Sequence, residues 1–220
     1  NTTSSFTNAS AGLQTVNLTA ALQDTVNYTI VGGSSTYVGT NSANISKANV
    51  TITGNGTVSD KVFDTTTSSA ITANATGTVQ LGNAALANGA VNASSGYTNL
   101  SSSNSSFTNA SAGAQTVNLT VALLGDTVNY TIVGGSSTRV VSTSANISRA
   151  NVTITTNGSV SDKVFDTTTS SFTTTNASGT VALGNASLAN GTVNTSSTFT
   201  SVNTTSSFTN ASAGLQTVNL

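Results

Sequence analysis

Hydrophobic and polar residues alternate over short stretches of this chain, and each stretch predicts a half-buried β-strand. In residues 15–20, Val16 and Leu18 fall on one side of the pattern and polar residues fall on the other. Successive side chains of a strand point to opposite faces, so this alternation is typical of a sheet with one face on a core. Residues 48–53 show the same pattern, which places Val50 and Ile52 at inward positions.

Residues 24–31, with the sequence DTVNYTIV, predict another strand, in which Val26, Tyr28 and Ile30 point inward. Further short strands are predicted at residues 77–81, 95–100 and 105–109. No stretch shows the apolar spacing of about 3.6 residues that marks an amphipathic helix. The pattern therefore predicts an all-β protein.

Glycine-containing dipeptides separate these predicted strands. A Gly-Gly pair at residues 32–33 leads into a Ser-rich loop, and an Asn-Gly pair at residues 88–89 marks another turn. Residues 55–56 are also Asn-Gly, the pair favoured in two-residue type I′ hairpins. We therefore expect residues 48–53 to pair with residues 57–64 across this turn.

The same organisation occurs twice. Residues 44–64, NISKANVTITGNGTVSDKVFD, return at residues 146–166 as NISRANVTITTNGSVSDKVFD, about 100 residues later. Residues 1–18 are also identical to residues 203–220. Aromatic residues recur at equivalent places, which predicts that they occupy core positions. An internal period of this kind indicates a tandem array rather than one large domain.

We expect a domain boundary at the start of the repeated segment. Residues 1–43 would be the C-terminal part of a preceding repeat, residues 44–145 a complete β repeat, and residues 146–220 the N-terminal part of the following repeat. The parts are complementary, because residues 24–31 carry the DTVNYTIV sequence that the last repeat lacks. This arrangement would fit an excerpt of a continuous fibre, or a filament whose units exchange strands.

Composition narrows the available chemistry. The 220 residues include 5 Lys and Arg, 6 acidic residues, and no His or Cys. Charged residues make up 5% of the chain, against about 25% in an ordinary soluble domain, and the net charge is −1. We therefore expect no enzyme, no cofactor, no metal site and no nucleic-acid partner. No apolar run approaches the ~18 residues of a membrane-spanning helix, so we expect no membrane span.

The charged residues cluster at two equivalent places, Asp60, Lys61 and Asp64 in the first copy and Asp162, Lys163 and Asp166 in the second. Calcium binding would need more oxygen ligands at loop spacing. Catalysis would need a base or nucleophile pair that the sequence does not place nearby, and a Lys–Asn crosslink at Lys61 is a further alternative. We favour a local ion pair that braces a turn beside a buried Phe63.

The most frequent motif is Asn-x-Ser/Thr, which marks N-glycosylation acceptors in exported proteins. A structural interpretation is also open, because a polar strand face made of Asn and Thr contains the same motif. With so few charges, sugars would supply solvation and protect strand edges. The candidate acceptors are Asn8, Asn17, Asn27, Asn44, Asn49, Asn55, Asn74, Asn92, Asn109, Asn118, Asn129, Asn146, Asn151, Asn157, Asn176, Asn185, Asn190 and Asn194.

The repeated segment resembles the YDG-type (MBG-like) repeat of large bacterial surface adhesins and filamentous haemagglutinin-like proteins. Residues 45–48 match the family's Ile-x-Lys-Ala strand, residues 61–67 match its Lys-Val-Tyr-Asp-Gly-Thr-Thr box, and residues 129–132 match its closing strand. Phe63 and Thr65 stand where the family has Tyr and Gly. The resemblance covers nearly the whole period and implies a domain that begins near residue 44.

These observations together predict a structural role. We expect a tandem array of ~100-residue β-sandwich-like domains in an extended fibre, forming an extracellular or cell-surface filament or adhesin stalk. The expected partners are other copies, joined end to end or by strand exchange, and covalent glycans. The alternative is a carbohydrate-binding or host-surface-binding β module, which would need a groove with Tyr37 and Tyr97 exposed.

Overall fold

The computed structural model describes residues 2–83, 90–184 and 193–220, except for the side chains of residues 92–93 and 193–196. Throughout these ranges the chain forms β-strands, turns and irregular segments, without a helix. The all-β class predicted from the alternating pattern is therefore confirmed. In the same ranges no helix is present that is long and apolar enough to cross a membrane. The predicted turn at residues 88–89 lies outside the described residues.

The strands follow one another closely along the chain. The first ten are β1 (Thr2–Phe6), β2 (Gly12–Ala21), β3 (Thr36–Ile45), β4 (Ala48–Gly54), β5 (Thr57–Val58), β6 (Lys61–Val62), β7 (Ile71–Ala73), β8 (Thr76–Gly82), β9 (Val91–Tyr97) and β10 (Leu100–Phe107). The others are β11 (Gly113–Leu123), β12 (Tyr130–Ile132), β13 (Thr138–Ser148), β14 (Asn151–Thr156), β15 (Ser159–Val160), β16 (Thr173–Thr175), β17 (Ser178–Gly184), β18 (Val193–Phe199), β19 (Ser207–Phe208) and β20 (Val218–Asn219).

The chain divides into two compact units, and each is built from three separate segments. Unit 1 contains Asn1–Thr57, Ala73–Asn104 and Leu119–Ser142. Unit 2 contains Val58–Thr72, Ser105–Asn118 and Thr143–Leu220. Each unit thus combines residues from two of the predicted sequence repeats. The repeat boundaries themselves stay a prediction.

One sheet of unit 1 has the order β1-β2-β3 and is antiparallel throughout. In β2, Val16 lies opposite Phe6 of β1 and Asn41 of β3. The strand predicted at residues 15–20 is confirmed within β2. β3 and its counterpart β13 were not predicted from the sequence, and both are rich in Thr, Ser and Asn.

The second sheet of unit 1 has the order β12-β4-β8-β9. β4 runs antiparallel to β8, with Val50 opposite Val79, and parallel to β12, with Asn49 opposite Thr131. The strands predicted at residues 48–53 and 77–81 are confirmed as β4 and β8. The weaker strands predicted further along the chain appear, with different bounds, as β9 and β10.

The hairpin expected at Asn55–Gly56 is wrong. β4 pairs with β8 and β12, whereas the residues after the turn form β5, which pairs with β7. Gly56 has a positive φ of 83°, but Asn55 is not among the residues with positive φ. A type I′ turn needs positive φ at both positions, so the chain turns here without returning along β4.

The strand predicted at residues 24–31 is also wrong. These residues form turns, and Val26 and Tyr28 are 91% and 68% exposed. Polar and apolar residues do alternate over residues 24–31. Such a short pattern forms a half-buried strand only where a neighbouring strand is present. In the second copy, the equivalent residues 130–132 do have such a neighbour and form β12.

The core of unit 1 is closed by residues far along the chain. Its buried side chains are Val50, Ala75, Val79, Tyr97, Leu100, Val121, Leu123 and Ile132. The ring of Tyr97 packs against Tyr130, with 5.2 Å between the ring centroids. Because Val121, Leu123 and Ile132 all belong to Leu119–Ser142, this segment completes the core around β4 and β8.

Unit 2 contains a three-stranded antiparallel sheet of order β14-β17-β18, in which Val152 lies opposite Val181. The short pairs β15-β16 and β19-β20 also lie in this unit. A further sheet has the order β10-β11-β13-β6 and contributes residues to both units. In its unit 2 part, Ile147 of β13 lies opposite Lys61 of β6 in a parallel pair.

The prediction that repeated aromatic residues are core positions holds for some of them and is wrong for others. Phe107 is 2% exposed, whereas its sequence equivalent Phe6 is 47% exposed. Phe107 packs beside Lys61, a partner that lies earlier in the chain. Equivalent positions in a repeat therefore differ in burial when only one has its neighbouring strand.

Candidate functional site

The charged cluster at residues 60–66 centres on a buried lysine in unit 2. Lys61 is 3% exposed, and its Nζ donates to Asp64 Oδ1 at 2.6 Å and to the Thr66 carbonyl at 2.7 Å. A third, longer contact joins Nζ to Thr66 Oγ1 at 3.3 Å. The predicted ion pair is therefore present, and its ammonium group has partners for all of its donors.

Asp64 is held equally firmly. Its Oδ1 accepts hydrogen bonds from the backbone N–H and the hydroxyl of Thr66, each at 2.9 Å. Burial of this carboxyl alone would raise its pKa, but the hydrogen bonds from Lys61 and Thr66 outweigh burial and lower the pKa below its ordinary value. Asp64 therefore stays ionised beside Lys61.

The buried aromatic neighbour of this pair is Phe107, not Phe63 as predicted. Lys61 Nζ lies 5.3 Å from the centroid of the Phe107 ring, within the range of a cation–π contact. Phe63 is only partly buried, because β6 ends at Val62 and the inward alternation does not continue past it. The partner of the cation thus comes from a distant strand that no local pattern could indicate.

The first acidic residue of the cluster ties it to β13. Asp60 Oδ1 accepts the backbone N–H of Asn146 at 2.7 Å, and Phe63 donates its N–H to the Ser148 carbonyl at 2.9 Å. These bonds flank the parallel pairing of Lys61 with Ile147. The cluster therefore binds β13, a strand from the later part of the chain.

The second copy of the cluster has the same internal bonds in a more open setting. Lys163 Nζ lies 2.7 Å from Asp166 Oδ1 and 5.4 Å from the ring centroid of Phe208. The hydrogen bond from Lys163 is the largest cause that lowers the pKa of Asp166, to about 2. Val164 and Phe165 are 88% and 58% exposed, since no strand of the described residues pairs with residues 163–164.

Both clusters contain a threonine in the left-handed backbone region. Thr65 and Thr167 have φ values of 66° and 64°. A β-branched side chain is strained in this region, where glycine is not. The turn is therefore formed here with threonine at a position that glycine would occupy without strain.

A second pair of equivalent turns was not identified from the sequence. Asp126 Oδ1 accepts the N–H groups of Val128 and Asn129 at 3.0 and 2.8 Å, and Asp24 makes the same bonds in the first copy. The bonds from Asn129 lower the pKa of Asp126. The repeated Asp-Thr-Val-Asn sequence was the available signal, because Asp commonly accepts backbone N–H groups two or three residues on.

Around Asn129 this turn anchors β12 in unit 1. Asn129 accepts the N–H of Ala48 at its carbonyl, at 2.8 Å, and that of Ala11 at its side-chain Oδ1, at 2.6 Å. Lys47 Nζ donates to the carbonyl of Thr127 at 2.7 Å. Val133 then donates its N–H to the Val50 carbonyl at 2.9 Å. Arg149 stands at the position equivalent to Lys47 in the second copy.

Most of the candidate glycosylation sites carry exposed side chains. These are Asn8, Asn27, Asn44, Asn49, Asn55, Asn74, Asn109, Asn118, Asn146, Asn151, Asn157 and Asn176. Asn17 and Asn129 are partly buried. Asn185 and Asn190 lie outside the described residues, as do the side chains of Asn92 and Asn194.

Neither charged cluster has the arrangement of a catalytic site. Each lysine is saturated by local oxygen atoms, and the described residues contain no group of three or more His, Cys, Asp or Glu side chains that could hold a metal ion. Of the two tyrosines named for a ligand-binding groove, Tyr97 is 8% exposed and Tyr37 is 59% exposed. The cluster around Lys61 holds β13 in place, through the parallel pairing of Ile147 with Lys61.

Comparison of the chain with family models, with curated proteins and with solved structures gives no match.

Proposed function

We propose that this chain is a structural repeat of an extracellular or cell-surface filament or adhesin stalk. One observation carries the proposal: strands from the second copy of the sequence pattern complete sheets that contain strands of the first copy. β12 forms the edge of the sheet around β4, and β13 pairs with β6 beside Lys61. An array in which each copy of the pattern supplies strands to the copy before it resists separation of the copies, which is the mechanical requirement of a fibre.

The proposed architecture is a tandem array of β-sandwich-like repeats. Val121 and Leu123 of β11 share a core with Val50 of β4 and Val79 of β8. Contact between the side chains of two sheets is the basis of a sandwich. The role is non-enzymatic, and it accords with the adhesin repeats that the sequence resembles.

The proposed filament is also N-glycosylated. Exposed Asn-x-Ser/Thr motifs cover both units, and with 5% charged residues the chain has few other groups to keep a fibre solvated. Asn129 is partly buried, and its Nδ2 donates to Asp126 Oδ2 at 2.7 Å. A sugar at that nitrogen would disturb the turn that anchors β12.

Electron microscopy of the native assembly tests the filament. We expect unbranched fibres with an axial repeat that corresponds to one or two sequence periods; isolated monomers at all concentrations would refute the proposal. Peptide mass spectrometry of native material tests the glycans. Hexose-bearing peptides are expected at exposed sites such as Asn44 and Asn118, with Asn129 unmodified, and unmodified Asn at every motif would remove glycosylation from the proposal.

A further inference from the structure

The strand β14 in unit 2 has an open edge that its counterpart in unit 1 does not have. β14 and β4 occupy equivalent sequence positions, and β4 carries β12 along one edge. In the described residues β14 pairs only with β17, so the edge equivalent to the β12 side has no strand. Val152 and Ile154 are 40% and 48% exposed, whereas Val50 of β4 is fully buried.

The sequence that would cover this edge is present elsewhere in the chain and is unused there. Residues 24–34 and 126–136 are identical, DTVNYTIVGGS. The second of these segments supplies β12, in which Ile132 is 1% exposed. The first is exposed to solvent, with Tyr28 at 68% and Val31 at 101%.

The unused segment makes the same local hydrogen bonds as the docked one. Asp24 accepts the N–H of Asn27 at 3.0 Å and its side-chain N–H at 2.8 Å, as Asp126 does from Asn129. Ile30 bridges to Ser34 in the same way that the docked segment bridges at its own Gly-Gly turn. A segment that is ordered before it binds loses little conformational entropy on docking.

A second open position lies at the charged cluster around Lys163, in unit 2. Ile147 of β13 is 1% exposed and sits opposite Lys61. At the equivalent Lys163 no such strand is present among the described residues, and a depression of about 370 Å³ remains. Its lining includes Val160, Lys163, Phe165, Phe208 and Val218.

We propose that a second molecule of this protein fills both open positions of unit 2 by strand donation. Its residues 28–30 would extend the sheet as a parallel strand on β14, and its Ile45 would enter the depression beside Lys163. Transferring the register of unit 1 gives the pairs Tyr28 with Ala150, Thr29 with Asn151, and Ile30 with Val152. Addition of a strand to an open edge supplies main-chain hydrogen bonds together with pockets for alternate side chains.

The contact is head to tail, so it propagates. The donor residues lie in unit 1 and the acceptor residues in unit 2. A molecule that donates a strand therefore still offers its own β14 edge to the next molecule. A heterologous contact that does not close into a ring generates an open filament. The inference rests on the proposed filament, for which it names the partner and the contact surface.

Docking also replaces one segment of the acceptor chain by a donor segment of identical sequence. Residues 1–18 of the donor molecule would take the position that residues 203–220 hold in unit 2 of the acceptor, and the two sequences are the same. Phe6 would then lie over Lys163 as Phe208 does now and as Phe107 lies over Lys61. The incoming segment therefore replaces the interactions of the displaced segment with equivalent ones.

Cysteine pairing in the full-length chain tests the register, because the chain has no cysteine of its own. A mixture of the Thr29→Cys and Asn151→Cys chains should form a disulfide-linked dimer under mild oxidation. A single chain with Asn49→Cys and Thr131→Cys is the positive control, since these residues lie opposite each other within unit 1. Thr29→Cys mixed with Thr155→Cys, four residues along β14, is the control for register. Equal crosslinking at residues 151 and 155, or none at either, would overturn the register.

A substitution on the donor tests the contact without disturbing the fold. Ile30→Asp should weaken self-association at least about tenfold, measured by analytical ultracentrifugation, because the equivalent Ile132 is buried. Val38→Asp is the matched control, since Val38 and its equivalent Val140 are 60% and 65% exposed. Filaments that persist in Ile30→Asp would refute strand donation and leave the proposed filament standing. Wild-type chains that stay monomeric at all concentrations would refute both.

Discussion

The side chain of Lys47 donates a hydrogen bond to the carbonyl oxygen of Thr127 at 2.7 Å, across 80 residues of sequence. Two residues further on, Asn49 lies opposite Thr131 in the parallel pair of β4 and β12. This contact belongs to a set in which a turn built on Asp126 positions β12 against the earlier strand. Contacts between residues about 80 positions apart in the chain therefore complete the sheet in unit 1.

Replacement of Lys61 should destabilise the protein much more than replacement of Lys163. Lys61→Met would leave the carboxylate of Asp64 buried without its cation, at a cost of about 3 kcal/mol in the free energy of unfolding. Lys163→Met removes the same bonds from an ion pair whose side chains are 26% and 50% exposed, so its effect should be clearly smaller. Urea unfolding of the two variants measures the difference. Equal effects would contradict the buried role of Lys61.

Thr65→Gly should stabilise the protein. Thr65 has a φ of 66°, and relief of a β-branched residue in this region is expected to add about 1 kcal/mol to the free energy of unfolding. Thr67→Gly serves as the matched control, because Thr67 is exposed and is not among the residues with positive φ; it should destabilise slightly. Thermal unfolding distinguishes the two. A loss of stability in Thr65→Gly would show that the threonine side chain contributes more than its strain costs.

Gly77→Ala should destabilise unit 1. A Cβ at Gly77 would lie 2.6 Å from the backbone oxygen of Thr51 on the neighbouring β4, so the two strands would have to separate. A cost of about 1–3 kcal/mol is expected from overpacking of this kind. Gly96→Ala on β9 is the control, since a Cβ there would meet no atom within 4 Å. Equal unfolding midpoints for the two variants would contradict the close approach of β4 and β8.

Stability should fall in acid and stay flat near neutrality. The pKa of Asp166 is lowered from 3.8 to about 2, first by the hydrogen bond from Lys163, and the pKa of Asp64 is lowered as well. A carboxyl whose pKa is lower in the folded state stabilises the fold above its unfolded pKa. That contribution is complete above about pH 5 and is lost as the pH falls through the folded pKa toward 2.

Urea unfolding as a function of pH measures this effect, with Asp166→Asn as the control. The variant should lose part of the acid dependence and keep the plateau between about pH 5 and 8, where a chain without histidine has no ordinary side chain to titrate. A decline of stability between pH 8 and pH 6 would contradict the assignment of the acid response to carboxyl groups.

The sequence was sufficient for local features of the fold. Alternation around Val50 and Val16 identified β4 and β2 correctly, because each has one face on a core and one in solvent. The ion pair of Lys61 with Asp64 was also predictable, since the two residues are three apart in a conspicuous charged segment. In each of these cases, the sequence pattern and the structural feature that it predicts involve residues close together in the chain.

The sequence was insufficient where the partner is distant. Residues 24–31 and 126–133 have the same local pattern, yet only the second has β4 beside it and forms a strand. Phe107 rather than Phe63 covers Lys61, because burial depends on which strand the chain brings back to β6. Polar strands such as β3 and β13 were missed for the same reason. Their pairing, not their hydrophobicity, makes them strands.

The segmented composition of unit 1 also constrains how the chain can fold during synthesis. Val50 and Val79 cannot complete their core until Ile132 has left the ribosome, because Leu119–Ser142 supplies one side of it. Contacts of such long range slow folding and leave apolar strand edges exposed in the meantime. The core of unit 1 therefore remains unfinished until Leu119–Ser142 has been translated, and a chain that stops earlier would present an open edge on β4 rather than a shorter folded protein.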